Sequence, residues 1–157
     1  MKIIAFLIII LLCDLSAQPL LITHENDYNI VPIIVVHFGG NFNEISVKPT
    51  DLQLEVESIL IQHHLIAKSP VESLDQLRGY LVVQCISTSG MNQVEVQWRR
   101  TLWNEKDSVY HVATWTSKAG SPVLYTRAEM LKDVREQVKK FAVEYSKINA
   151  KAASSVN

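Results

Sequence analysis

The chain has 157 residues, with 15 Lys or Arg against 16 Asp or Glu, so its formal net charge is −1 at pH 7. This balance argues against general binding to nucleic acid, because nucleic-acid-binding surfaces are strongly basic. A domain of about 140 residues buries enough apolar surface to fold without disulfide bonds. The chain after residue 17 contains a single cysteine, Cys85, so no internal disulfide is expected.

The amino terminus has the three parts of a secretory signal peptide. Lys2 supplies a positive charge, residues 3–13 form an unbroken apolar run, and Ala17 is a small residue suited to cleavage. A permanent membrane-spanning helix needs about 20 apolar residues, and neither this run nor any later one is that long. The sequence therefore predicts a signal peptide over residues 1–17, cleavage before Gln18, and an exported protein, periplasmic or extracellular, without a stable membrane span.

Lipid attachment at Cys13 is the alternative fate of this segment. A small residue normally precedes a lipid-modified cysteine, whereas Leu12 precedes Cys13. We therefore expect Cys13 to be removed with the signal peptide.

The first strand and the first helix follow in order. Residues 30–38 are rich in β-branched side chains, which favours a buried strand, and two glycines follow it. Thr50 and Gln53 have the spacing of a capping box at the start of a helix. The apolar residues then recur at helical spacing at Leu52, Val56, Ile59, Leu60 and Ile66.

Three strands are predicted next, over residues 80–87, 93–103 and 108–116. A turn at Ser89-Gly90 pairs Cys85 with Val94, Val83 with Val96 and Leu81 with Trp98. A turn at Glu105-Lys106 pairs Leu102 with Val109, Trp98 with Ala113 and Val96 with Trp115. Both turns place the apolar residues of the middle strand on one face, and a slip of one residue would destroy that agreement.

The last element is a long amphipathic helix. Thr126 and Glu129 form a second capping box. Apolar residues then follow at intervals of three and four, at Leu131, Val134, Val138, Phe141, Tyr145 and Ile148. Residues 152–157 form a small polar tail.

These elements predict a single α+β domain over residues 18–151. The order β-α-β-β-β-α gives a two-layer sandwich, with a four-stranded mixed sheet and both helices on one face. The crossover through the first helix should make the first two strands parallel.

Candidate chemical groups are scattered along the chain. His63 and His64 are adjacent, so they point in different directions from a helix and cannot share a metal ion. The remaining histidines, His24, His37 and His111, also lack metal-ligand spacing to a cysteine or carboxylate. Cys85 falls on the helix-covered face, where a thiol is inert. No catalytic residue, metal site or cofactor follows from these patterns.

The face of the sheet away from the helices is the most informative feature. By the registers above it carries aromatic residues, β-branched residues and an arginine, a mixture typical of protein interfaces. The candidate contact residues are Tyr80, Arg99, Trp103 and Tyr110. The alternative is an ordinary solvated face of an antiparallel sheet.

The carboxyl-terminal half resembles short uncharacterised bacterial proteins that carry signal peptides. In these a strand such as Val112-Ala113-Thr114-Trp115 leads through a glycine-containing loop, here residues 117–121, into a long terminal helix. In architecture the chain is similar to the amino-terminal domain of TolB and related envelope-assembly proteins. That resemblance implies action through protein contacts and transfers no functional residue.

Two functions remain open from the sequence. The first is an exported binding or envelope-assembly module that contacts a protein partner, or a second copy, through the open sheet face. The second is a small secreted hydrolase whose catalytic residues the sequence does not identify, and a cleft joining His37, His111 and a carboxylate would favour it.

The signal peptide gives the first testable expectation. The exported protein should begin at Gln18 and carry no lipid, as measured by amino-terminal sequencing and intact mass. A diacylglyceryl group on Cys13 would contradict this expectation and make the protein a tethered one.

Overall fold

The computed structural model describes residues 29–39, 42, 44–69, 77–88, 91–103, 109–121 and 125–154. The proposed signal peptide, and the choice between its cleavage and lipid attachment, lie outside these residues. The described elements are β1 (Ile30–Phe38), α1 (Pro49–Gln62), β2 (Ile66–Lys68), β3 (Gly79–Thr88), β4 (Met91–Trp103), β5 (Val109–Ser121) and α2 (Arg127–Ser154). None of the described helices is both long and apolar enough to cross a membrane.

The described strands form one sheet in the order β2-β1-β3-β4-β5. β1 runs parallel to both β2 and β3, while β3, β4 and β5 follow one another antiparallel. The α+β class and the parallel pairing across the first crossover are therefore confirmed. The predicted number of strands is wrong, because the sheet has five described strands rather than four.

The extra strand exists because α1 ends earlier than its apolar spacing predicts. The amide of Leu65 donates to the Leu60 carbonyl at 2.9 Å, and that of His64 donates to the Ile61 carbonyl at 2.9 Å. With His64 in the left-handed region at φ 60°, these bonds form the Schellman motif that closes a helix. Ile66, predicted to belong to the helix, instead begins β2 and pairs with Ile30.

The start of α1 also differs from the prediction. Lys48 caps the helix, and its amide donates to Asp51 Oδ2 at 3.0 Å. Pro49 occupies the first helical position, where its fixed φ is favourable and its missing N–H costs nothing. Proline therefore moves the start two residues ahead of the predicted cap at Thr50.

The first hairpin has the predicted register. Cys85 pairs with Val94, Val83 with Val96 and Leu81 with Trp98. The predicted face of these residues is also confirmed, because all of them belong to the buried apolar cluster.

The second hairpin differs from the predicted register by one residue at the turn, where Leu102 pairs with Tyr110 rather than Val109, and by one more residue beyond a β-bulge. Trp98 pairs with Trp115 rather than Ala113, and Arg99 pairs with Ala113, so Thr114 is an extra residue in β5. An extra residue reverses which face the following side chains occupy relative to regular pairing. β5 also continues through residues 117–121, where a loop was predicted.

The start of α2 matches its prediction. Thr126 Oγ1 accepts from the Glu129 amide at 3.2 Å, and Glu129 Oε2 accepts from the Thr126 amide at 2.8 Å. These reciprocal bonds form the capping box, and the bond from the Thr126 backbone is the main reason that the pKa of the Glu129 carboxyl is lowered. The helix continues to Ser154, into the predicted polar tail.

Both helices pack on the same face of the sheet, as predicted. The buried cluster joins Leu52 and Val56 of α1 to Val134 and Phe141 of α2 across the apolar side chains of β1, β3 and β4. Cys85 lies in this cluster, and burial raises the pKa of its thiol to about 12. A thiol with that pKa stays protonated at neutral pH and is unreactive.

Phe141 gives the sharpest test of this packing. Its side chain is fully buried and stacks on Trp98, with ring centroids 5.6 Å apart. Phe141→Ala should lower the free energy of unfolding by about 3–5 kcal/mol. Lys139→Ala, on the exposed face of the same helix, should change it by less than about 0.5 kcal/mol. Equal losses of unfolding free energy for the two variants, measured by urea unfolding, would contradict the assigned helix face.

Candidate functional site

The hairpin of β4 and β5 extends beyond the rest of the sheet. β3 begins at Gly79, which pairs with Arg100, so residues 101–103 of β4 continue past the end of β3, with the Thr101 amide still donating to the Arg78 carbonyl at 3.2 Å. These residues pair with residues 109–111 of β5. We call this two-stranded projection, residues 101–103 and 109–111, the overhang.

Large apolar side chains are exposed on and beside the overhang. The exposed fractions are Leu102 45%, Trp103 62%, Tyr110 53% and Val112 42%. Single exposed apolar residues are ordinary on protein surfaces, whereas large contiguous apolar patches are typical of interaction surfaces.

The bulge determines which of these side chains share a face. Residues directly opposite in a sheet lie on the same face. Trp103 is four residues from Arg99 along β4, so both side chains lie on the outer face, away from the helices. Tyr80 pairs with Arg99 on that face. Tyr110 pairs with Leu102 on the helix side of the sheet. The predicted placement of Tyr110 on the outer face is therefore wrong, because the extra residue Thr114 reverses the face of the β5 residues that precede it.

Tyr80 is placed on the predicted face but is not available as an exposed anchor. Only 2% of the residue is accessible. Its ring meets His111 edge to face, with centroids 5.7 Å apart. The Nδ1 of His111 lies 3.4 Å from Thr101 Oγ1. Tyr80 and His111 thus pack together on the outer face where the overhang begins.

A row of polar side chains runs along the outer face of β4 toward the overhang. Arg99 Nε donates to Gln97 Oε1 at 2.7 Å, and Gln97 Nε2 donates to Glu95 Oε1 at 2.6 Å. Gln93 Nε2 donates to the other Glu95 oxygen at 3.1 Å. Lys118 Nζ, on β5, lies 3.0 Å from Glu95 Oε1. We call this connected set of Gln93, Glu95, Gln97, Arg99 and Lys118 the polar ladder.

The ladder explains how a carboxylate is accommodated in the sheet. Glu95 is only 8% exposed, and a buried charge is tolerated when it is paired and hydrogen-bonded. Both of its oxygens have partners, one of them cationic. Strand alternation along β4 predicts one common face for Gln93, Glu95, Gln97 and Arg99, whereas Lys118 lies in the segment that was predicted as a loop. The hydrogen bonds among these side chains have no signal in the sequence pattern.

The two histidines whose meeting in one cleft would favour a hydrolase, His37 and His111, lie far apart. His37 pairs with Cys85, which pairs with Val94, which pairs with Ala119 on β5. His111 lies eight positions back along β5 from Ala119, so at about 3.3 Å per residue the two histidines are more than about 20 Å apart. The ring of His37 instead contacts Phe42 edge to face. His24 lies outside the described residues.

No metal centre is assembled within the part of the chain that the structure describes. There, no three His, Cys, Asp or Glu side chains come close enough together to hold an ion. His63 and His64 sit at the carboxyl end of α1, where His64 takes part in ending the helix.

Comparison with known proteins identifies no family. No family model and no curated protein matches the sequence. One solved structure, described as an uncharacterized protein, is 11% identical, covers 75% of this chain and 89% of its own, and has a TM-score of 0.30. Another, described as "a putative lipoprotein from Caulobacter crescentus CB15", is 8% identical, covers 90% and 95%, and has a TM-score of 0.24.

Neither score is high enough to carry an argument about fold or function. The similarity to TolB is addressed by neither comparison and stays a prediction. Function therefore has to be inferred from the described surface itself.

Proposed function

We propose that this protein is an exported binding or envelope-assembly module that acts through protein contacts rather than by catalysis. Its contact surface is the overhang, with the adjoining outer face of β4. The observation behind this proposal is the concentration of exposed Leu102, Trp103, Tyr110 and Val112 at one end of the sheet. Tryptophan and tyrosine, with arginine, are the residue types that contribute most to interface affinity.

The overhang is supported by an ordered base. β4 and β5 continue from it into the sheet, where Trp98 and Trp115 pack against Phe141 of α2. Contact side chains on a rigid strand lose less conformational entropy on binding than side chains on a loop. Aromatic side chains are exposed on both faces of the overhang, Trp103 on the outer face and Tyr110 on the helix side. This arrangement suits a partner that contacts both faces.

Export is the second part of the proposal and rests on the sequence of residues 1–17. The hydrolase alternative is less favoured, because the structure places His37 and His111 at opposite ends of the sheet.

Site-specific cross-linking in the cell that produces the protein tests the proposed surface. A photoreactive phenylalanine analogue at position 103 or 110 should give discrete cross-linked products of higher mass. The same analogue at Ile61 of α1, which is 65% exposed, is the matched control and should give none of them. Identical products from all three positions, or none from 103 and 110, would contradict the proposal.

Alanine variants separate binding from folding at the same positions. Trp103→Ala and Tyr110→Ala should each weaken capture of the cross-linked partner by about 2 kcal/mol or more, about thirtyfold. Because both side chains are exposed, the free energy of unfolding of each variant, measured in urea, should stay within about 0.5 kcal/mol of the parent's. Lost stability with unchanged capture would show that the two residues are structural.

A further inference from the structure

The Arg99 side chain is held on the outer face by a hydrogen bond from its Nε. Its Nε is already used, because it donates to Gln97 Oε1 at 2.7 Å. The side chain is half-buried, and this bond limits the rotation of the guanidinium. Among the described residues no hydrogen bond uses the two terminal nitrogens, Nη1 and Nη2, which are paired donors in the plane of that group.

The rest of the polar ladder fixes the residue that holds Arg99. The amide nitrogen of Gln97 donates to Glu95 Oε1 at 2.6 Å, which turns the amide oxygen toward Arg99. Glu95 is in turn anchored by Lys118 at 3.0 Å from the same oxygen. Each group in the ladder therefore has its orientation set by the next.

The surroundings of Arg99 favour an acidic ligand. β4 and β5 together contain one carboxylate, Glu95, and the ladder already occupies it. Trp103 lies on the same face four residues along β4, about 13 Å away, and is the most exposed aromatic side chain of the overhang. A protein that packs on Trp103 is thus within reach of the Arg99 guanidinium.

We propose that Arg99 is preorganised to bind a carboxylate of the partner, from an Asp or Glu side chain, through Nη1 and Nη2. This inference rests on the proposed function, because it names the chemistry of the partner at the same surface. Gln97, Glu95 and Lys118 are positioning residues that hold the guanidinium ready. A planar guanidinium and a carboxylate form two parallel charge-assisted hydrogen bonds, and an arginine already held in place loses little freedom on forming them.

The test uses purified protein and a hexaglutamate peptide at low salt, where exposed charges are least screened. The side-chain Nε–H resonance of Arg99 should shift with added peptide and reach saturation. Arg99→Gln should abolish saturable binding, and Arg99→Lys should weaken it several-fold, because an ammonium group cannot bind bidentately. Arg135→Gln removes the same charge from α2, where Arg135 pairs with Glu55, and should leave binding unchanged.

A second variant tests the positioning residues. Gln97→Leu should move the Arg99 Nε–H resonance even without peptide and should weaken peptide binding several-fold. Gln62→Leu, an exposed change at the end of α1, is the control and should do neither. A Gln97→Leu protein that binds like the parent would overturn the role of the ladder.

Two further outcomes would overturn the carboxylate proposal. One is the absence of a saturable shift with hexaglutamate, and the other is binding of a phosphoserine peptide alone. Either can occur while cross-linking at positions 103 and 110 still succeeds, so this proposal fails separately from the proposed function.

Discussion

The packing of Trp98 beneath α2 is the constraint on which the rest of the structure depends. The side chain is fully buried and contacts both Phe141 and Tyr145. Its six-membered ring also fills the space beside Gly79, where a β-carbon would clash with it. The indole Nε1 has no hydrogen-bond partner within the described part of the chain, where packing rather than polar contact holds the ring. A buried donor without a partner costs about 1–3 kcal/mol, which the burial of the large aromatic surface offsets.

The packing of Trp98 and the bulge beside it together determine which side chains the overhang exposes on each face. Up to Trp98, the apolar side chains of β4 face the helices. Trp98 pairs with Trp115 of β5. Immediately beyond, the extra residue Thr114 lets β5 continue with its side chains reversed. Bulges commonly redirect side chains in this way. Here the bulge separates Tyr110 from Trp103, so the overhang presents an aromatic residue on each of its faces.

Most of the fold could be predicted from the sequence, because its core elements have strong, independent signals. The apolar spacing and the Thr126–Glu129 box defined α2, and the alternation of Val94, Val96 and Trp98 fixed the first hairpin. The missed features depend on backbone conformation. The Schellman end at His64 has no glycine to reveal it, and the bulge at Thr114 leaves no mark in the hydrophobic pattern. Contacts between polar side chains, such as those of the ladder, likewise need three-dimensional placement.

The position of the bulge is the claim that most directly supports the assignment of the surface. Nuclear Overhauser contacts between side chains in solution measure it, because they report which rings share a face. With the bulge at Thr114, we expect contacts between the rings of Tyr80 and His111 and between the Tyr110 ring and the Leu102 side chain, and none between Tyr110 and Tyr80. A contact between Tyr110 and Tyr80, without one between Tyr110 and Leu102, would show a regular hairpin without the bulge and would overturn the assignment of the surface.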